Sequence, residues 1–195
     1  MRIVLGLGNP GERYARTRHN VAWRVLDELA TRHGATPGEE CREYRTRRTR
    51  LGGEDVEMMT PLTFMNASGE ALQEWRRERE MDPAQLLVVT DDVYLPLGAL
   101  RLRPNGSSGG HRGLESLEAA LGSRDYARLR VGVGAATESA ELREHVLEEF
   151  APEELPVLEE AVRQAADATE CWVSQGLLAA MNRFNRKVRK EVPES

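Results

Sequence analysis

The chain predicts an α/β fold: one domain over residues 1–195, built on a mixed twisted sheet with helices on both faces. Three observations carry that expectation. Short apolar runs of strand length, such as Ile3-Val4-Leu5 and Leu86-Leu87-Val88-Val89, alternate with stretches of helical apolar spacing. A length of 195 residues with 40% hydrophobic composition is enough for one full core. No repeat, low-complexity tract or linker divides the chain.

The first strand, over residues 2–5, is broken by Gly6, Gly8 and Gly11 with Asn9-Pro10 between them, which forces a turn. Cap-type residues over 17–20 precede Val21, Val25, Leu26 and Leu29, the apolar stripe of a helix. A polar connection over 33–39 follows. Residues 41–50 and 55–60 read as two strands joined by Leu51-Gly52-Gly53-Glu54, a hairpin turn. Residues 61–64 form a second strand-to-helix junction, with Asn66 placed to cap a helix reaching about Glu80. Residues 86–89 are a third strand with Asp91 and Asp92 at its carboxyl end. A further strand is expected over 97–103, then the Gly/Ser-rich loop PNGSSGGHRG over 104–113 and a helix to Leu121. Residues 128–134 return to the sheet, and helices are expected over 146–150, 153–173 and 177–188.

The bulk numbers exclude several classes. No apolar run has membrane-spanning length, and residues 1–20 lack a secretory apolar region. Cys41 and Cys171 are far apart and lack metal-ligand spacing, which fits a reducing, cytoplasmic setting. The net charge of −5 is unevenly spread: residues 95–134 are net basic, and residues 171–190 carry five bases and no acid. Such segregation permits a phosphate-binding face on an acidic chain, although it equally describes ordinary solvated helices.

Three strand-end junctions hold polar groups: Asn9 with His19, Asn66, and Asp91 with Asp92. Open α/β sheets place their sites at that edge. His19 suits a general base because imidazole titrates near neutrality. A carboxylate on one ring nitrogen fixes its tautomer and stabilises the imidazolium, and Asp91 is the candidate. Asn9 and Asn66 offer amides that position a carbonyl or water without adding charge. Each has a plainer competitor: His19 as a helix cap, Asp91 as a turn residue, Asn66 as an N-cap. His33, His111 and His145 read as structural or surface residues. No Ser or Cys sits in a G-x-S-x-G elbow, and no His/Cys/Asp set has metal spacing. What remains is water activated by His19, with no metal and no covalent intermediate. Gly6, Gly8 and Gly11 also satisfy the dinucleotide pattern G-x-G-x-x-G. Its third glycine, however, falls in a loop, and the acids expected at a second strand end, Asp27 and Glu28, fall inside a helix.

With these residues in place, the sequence resembles the bacterial peptidyl-tRNA hydrolase family. The blocks occur in family order: GLGNPG at 6–11, TRHN at 17–20, TFMNASG at 63–69, Asp91 before Leu95-Pro96, GGHRGL at 109–114, RLRVGVG at 128–134 and HVLEEF at 145–150. The resemblance implies cleavage of the ester between a peptide and the terminal ribose of tRNA, by a cytoplasmic monomer without cofactor or obligate protein partner. It makes His19 the base, Asp91 the residue that keeps it basic, and Asn9 the position distinguishing peptidyl-tRNA from aminoacyl-tRNA. Tyr14, Phe64 and Asn66 match positions that contact the tRNA end. Phosphate contacts are expected from Arg101, Arg103, Arg128 and the C-terminal basic helix. The alternative is a non-catalytic RNA-binding relative, as in chloroplast splicing factors of this fold.

Two departures from the family pattern stand out. Arg112 occupies a substrate-contact position where the family has Asn; a guanidinium cannot accept a hydrogen bond but can pair with phosphate. The basic residue usual before the VL motif is unmatched, with Glu141 and Arg143 competing for its place.

Overall fold

The structure is a computed structural model that describes residues 1–134 and 142–185. Seven strands form one sheet: β1 (Arg2–Gly6), β2 (Thr36–Glu40), β3 (Tyr44–Leu51), β4 (Glu54–Pro61), β5 (Leu86–Asp92), β6 (Leu100–Arg103) and β7 (Ala127–Gly132). Their order is β2-β3-β4-β1-β5-β7-β6. The central four, β4, β1, β5 and β7, run parallel, while β2, β3 and β6 add antiparallel edges. Parallel strands need cover on both faces, and the apolar residues divide accordingly. α1 (Val21–Arg32), α5 (Leu155–Gln175) and α6 (Leu177–Phe184) pack on one face with Val4, Leu87 and Leu129. α2 (Ser68–Arg76) and α3 (Arg112–Leu121) pack on the other with Ile3, Leu5 and Val88. The expected mixed sheet with helices on both faces is therefore present, and the four parallel carboxyl ends define one edge for a site.

Individual elements depart from the sequence expectation for identifiable reasons. β2 falls partly within the expected polar connection. All five of its residues are exposed, so no apolar alternation marks it. It exists because Thr36, Pro37 and Glu40 pair with Arg48, Arg47 and Arg45 of β3, and because Gly38 leaves room for the Thr46 hydroxyl. The hairpin turn stands where expected, Gly52 and Gly53 supplying φ values of 56° and 90°. α2 ends at Arg76 rather than near Glu80, since residues 76–80 are all charged and none is apolar to hold another turn; Arg79 Nη1 instead closes the Trp75 carbonyl at 2.8 Å. Residues 97–99 form a turn before β6, with Ala99 N–H donating to the Pro96 carbonyl. The expected helix over 146–150 is absent. A short α4 (Leu142–His145) precedes an irregular stretch that bonds sideways: Arg18 N–H donates to Glu148 O and His19 N–H to Val146 O, at 2.9 and 2.8 Å. Of the expected final helix, residues 186–188 lie outside the described residues, as do Arg186, Lys187, Arg189, Lys190 and Glu141; nor is the Arg143 side chain described.

Candidate active site

The loop after β1 is built to bring its polar residues to the sheet edge. Gly8 packs under Trp23 so closely that a Cβ would run into the indole nitrogen, and that nitrogen donates to the Gly6 carbonyl at 3.1 Å. Helix α1 is thereby pinned beneath the loop. Asn20, expected as a cap, makes no capping bond. Its side chain is spent on Asn9, accepting from Asn9 N–H at 2.9 Å and donating to the Asn9 carbonyl at 3.0 Å. The Asn9 side chain in turn reaches the next junction, its Oδ1 accepting from Met65 N–H at 2.8 Å. That bond fixes the amide and leaves Nδ2 as the available donor.

Asn66 follows Met65 on the same 3-10 turn. It is exposed and caps nothing, because Ser68 Oγ and Thr63 Oγ1 close this turn on the Met65 and Ala67 carbonyls. The expected N-cap role is therefore corrected. Phe64, 54% exposed, meets the Tyr14 ring edge-on at 6.4 Å, forming an aromatic pair beside the Asn9 loop.

His19 lies on the 3-10 turn Arg18–Asn20, and its Nδ1 is 2.9 Å from each carboxylate oxygen of Asp91. Asp91, buried as the penultimate residue of β5, is held well below the usual carboxylate range: burial opposes its charge, but His19 and His111 outweigh burial. For His19, burial disfavours the imidazolium, yet the charge and hydrogen bond of Asp91 prevail and raise its pKa above 6.5. With Asp91 ionised, Nδ1 carries the proton, so Nε2 is left with a lone pair.

His111, read from sequence as structural or surface, belongs to this cluster. Its Nδ1 caps α3 by accepting from Leu114 N–H at 3.3 Å, and its Nε2 lies 2.9 Å from Asp91 Oδ1 and from Thr90 Oγ1. The cap fixes the tautomer, so Nε2–H donates to Asp91. The signal was its place: one residue before a helix, at the end of a glycine-rich loop, where a capping side chain belongs. Next to it, Arg112 is exposed at the first position of α3. Gly113 lies against Met65 and Leu7, where a Cβ would collide, so this helix start is locked to the Asn9–Met65 junction.

Nδ1 of His19, the Asp91 carboxylate and Nε2 of His111 come within 4.8 Å of one another, a trio that sequence spacing concealed. Its wiring suits shared protons better than a metal. A cation on His111 Nε2 would drive the proton to Nδ1, where the Leu114 N–H already points. Asp92 does not join the cluster; Arg130 Nε lies 2.9 Å from one of its oxygens, and the other accepts from Tyr94 N–H.

A family model described as peptidyl-tRNA hydrolase matches residues 3–192. The chain belongs to the peptidyl-tRNA hydrolase family. A peptidyl-tRNA hydrolase of Chloroflexus aggregans is 45% identical over 186 residues, covering 95% of this chain and 99% of that one. One of Syntrophomonas wolfei is 42% identical, covering 95% of this chain and all of the relative. The crystal structure of peptidyl-tRNA hydrolase from Acinetobacter baumannii superposes with a TM-score of 0.88 at 29% identity, covering 95% and 94% of the two chains.

Within this member of the family, one expected tRNA contact is misplaced. Arg128 is 2% exposed, stacks on Tyr126 and bonds the Ser107 carbonyl and Glu118, so it cannot reach a phosphate. Strand alternation turned it inward, where it ties the glycine-rich loop to α3. Arg103 on β6 is exposed and Arg101 half-buried. No helix among the described residues is long and apolar enough to cross a membrane.

Proposed function

We propose that this chain hydrolyses the ester joining a peptide to the terminal ribose of tRNA, with His19 as general base. The observation that carries the reading is the two-oxygen contact between His19 Nδ1 and Asp91, which leaves Nε2 basic and oriented. Nε2 takes a proton from water as the oxygen attacks the ester carbonyl. Asp91 stabilises the imidazolium that forms. The tetrahedral intermediate then collapses, its C–O bond to ribose breaks, and the departing ribose oxygen recovers the proton from His19. The products are a peptide carboxylic acid and tRNA.

The remaining residues select the substrate. Asn9 Nδ2, free because Oδ1 is engaged by Met65, donates to a carbonyl of the peptide, a group that free aminoacyl-tRNA lacks. Tyr14, Phe64 and Asn66 receive the tRNA end by stacking and hydrogen bonding, and Arg112 pairs with phosphate. The enzyme acts as a monomer in the cytoplasm. A non-catalytic RNA-binding module would gain nothing from an ionised carboxylate that is 2% exposed and aimed at an imidazole, since burying it costs stability. Release of N-acetyl-aminoacyl groups from tRNA, compared with the unblocked ester, tests the proposal. Rapid turnover of the blocked form alone is expected; no turnover of either, or equal turnover of both, contradicts it.

A further inference from the structure

The His19 ring is oriented by Asp91, but the backbone that carries it is held from elsewhere. Arg18, its neighbour, points the opposite way into a closed site and is 6% exposed. Its Nη1 and Nη2 form a fork on the two carboxylate oxygens of Glu154, at 3.0 and 2.6 Å. Nη1 also donates to the Val133 carbonyl at 2.8 Å, and the guanidinium lies 4.7 Å over the Phe150 ring. Val133 N–H itself donates to the Asp92 carbonyl at 3.2 Å, so Arg18 is joined to the end of the strand that bears Asp91. Glu154 is equally fixed. Its Oε2 accepts from Ala151 N–H at 2.8 Å, closing the turn that opens α5. The chain between Val146 and Glu149 then bonds back along Thr17, Arg18 and His19.

We infer that Arg18 and Glu154 form a strut that positions His19 for the reaction. Both are positioning residues; neither touches the reacting atoms. The inference rests on the reading of His19 as the base. Two anchored ends explain why a bidentate pair is used here: a planar fork fixes direction as well as distance, which a single ammonium contact does not. The carbonyl of Val133 and the carboxylate of Glu154 set where Arg18 Cα lies, and the next residue inherits that position. Loosening the fork would let His19 drift off the bisector of the Asp91 carboxylate. Burial would then act on the imidazole with less of the opposing charge.

The test uses Glu154→Gln and Arg18→Lys in the full chain. Glu154→Gln keeps the side-chain shape and the acceptor for Ala151 N–H, so it preserves the fold if Arg18→Lys does not. Three quantities are read: kcat and KM for N-acetyl-aminoacyl-tRNA, the melting temperature, and the His19 titration midpoint from its ring-proton NMR signals. The strut predicts a fall in kcat of about 10- to 100-fold with KM within about twofold, and a His19 midpoint lower than in the unsubstituted protein. An unchanged midpoint in Glu154→Gln overturns the inference, even if the melting temperature or rate falls. Because the titration needs no substrate, an unsubstituted chain that fails to cleave the ester counts against the proposed function and leaves the strut to be judged by NMR.

Discussion

His19 Nδ1 lies 2.9 Å from both carboxylate oxygens of Asp91, and this contact couples their two titrations. The raised pKa of His19 means that its imidazole loses the extra proton only above 6.5. A base must be neutral to act, so kcat/KM rises with pH and its midpoint lies above that value. In Asp91→Asn, burial acts unopposed: the midpoint falls below 6.5 while the rate drops by about 10²-fold or more. A pH–rate profile of both proteins checks the sign.

His111 does two things at once, and two substitutions separate them. His111→Ala loses the cap on Leu114 N–H and the donor to Asp91. It should destabilise the fold by about 0.5–2 kcal/mol and lower kcat about tenfold, the scale of one hydrogen bond to a charge. His111→Asn restores a capping side chain but not the reach to Asp91. Urea denaturation should return toward the original midpoint in that variant while kcat stays low.

Gly8 lies beneath the Trp23 indole with no space for a methyl group. Gly8→Ala forces the ring away and breaks its bond to the Gly6 carbonyl. Overpacking of this kind costs about 1–3 kcal/mol. The expected result is a lower urea midpoint with a shifted Trp emission spectrum, and reduced activity because Asn9 follows on the same loop.

Arg112 is exposed at the start of α3, where the family pattern has Asn. If it pairs with phosphate, Arg112→Asn removes one counterion-releasing contact. The slope of log affinity for tRNA against log salt should flatten by about 0.7–0.9, with turnover at saturating substrate equal or higher. Binding isotherms at several salt concentrations measure it.

Much of this site is legible in the sequence because its signals are local. An apolar run followed by a polar residue marks the ends of β1 and β5, with a glycine turn after β1, and the edge of a parallel sheet brings Asn9, His19 and Asp91 within reach. What escaped depends on contacts between distant segments. β2 has no apolar residue and owes its form to pairing with β3. Residues 146–149 have helical composition yet serve as a sideways partner for Thr17, Arg18 and His19. Asn20 looks like a cap but is consumed by Asn9, and Arg128 looks like a phosphate ligand until strand alternation buries it against Glu118. His111 is hidden only in part: its place one residue before a helix signals the cap, but the bond from its other ring nitrogen to Asp91 depends on the fold.

The most direct measurement is release of N-acetyl-aminoacyl groups from tRNA by the unsubstituted chain and by His19→Ala, with tRNA affinity determined for both. Loss of turnover by about 10²-fold or more with affinity nearly intact is the predicted result. Turnover retained in His19→Ala would show that water is activated by some other group.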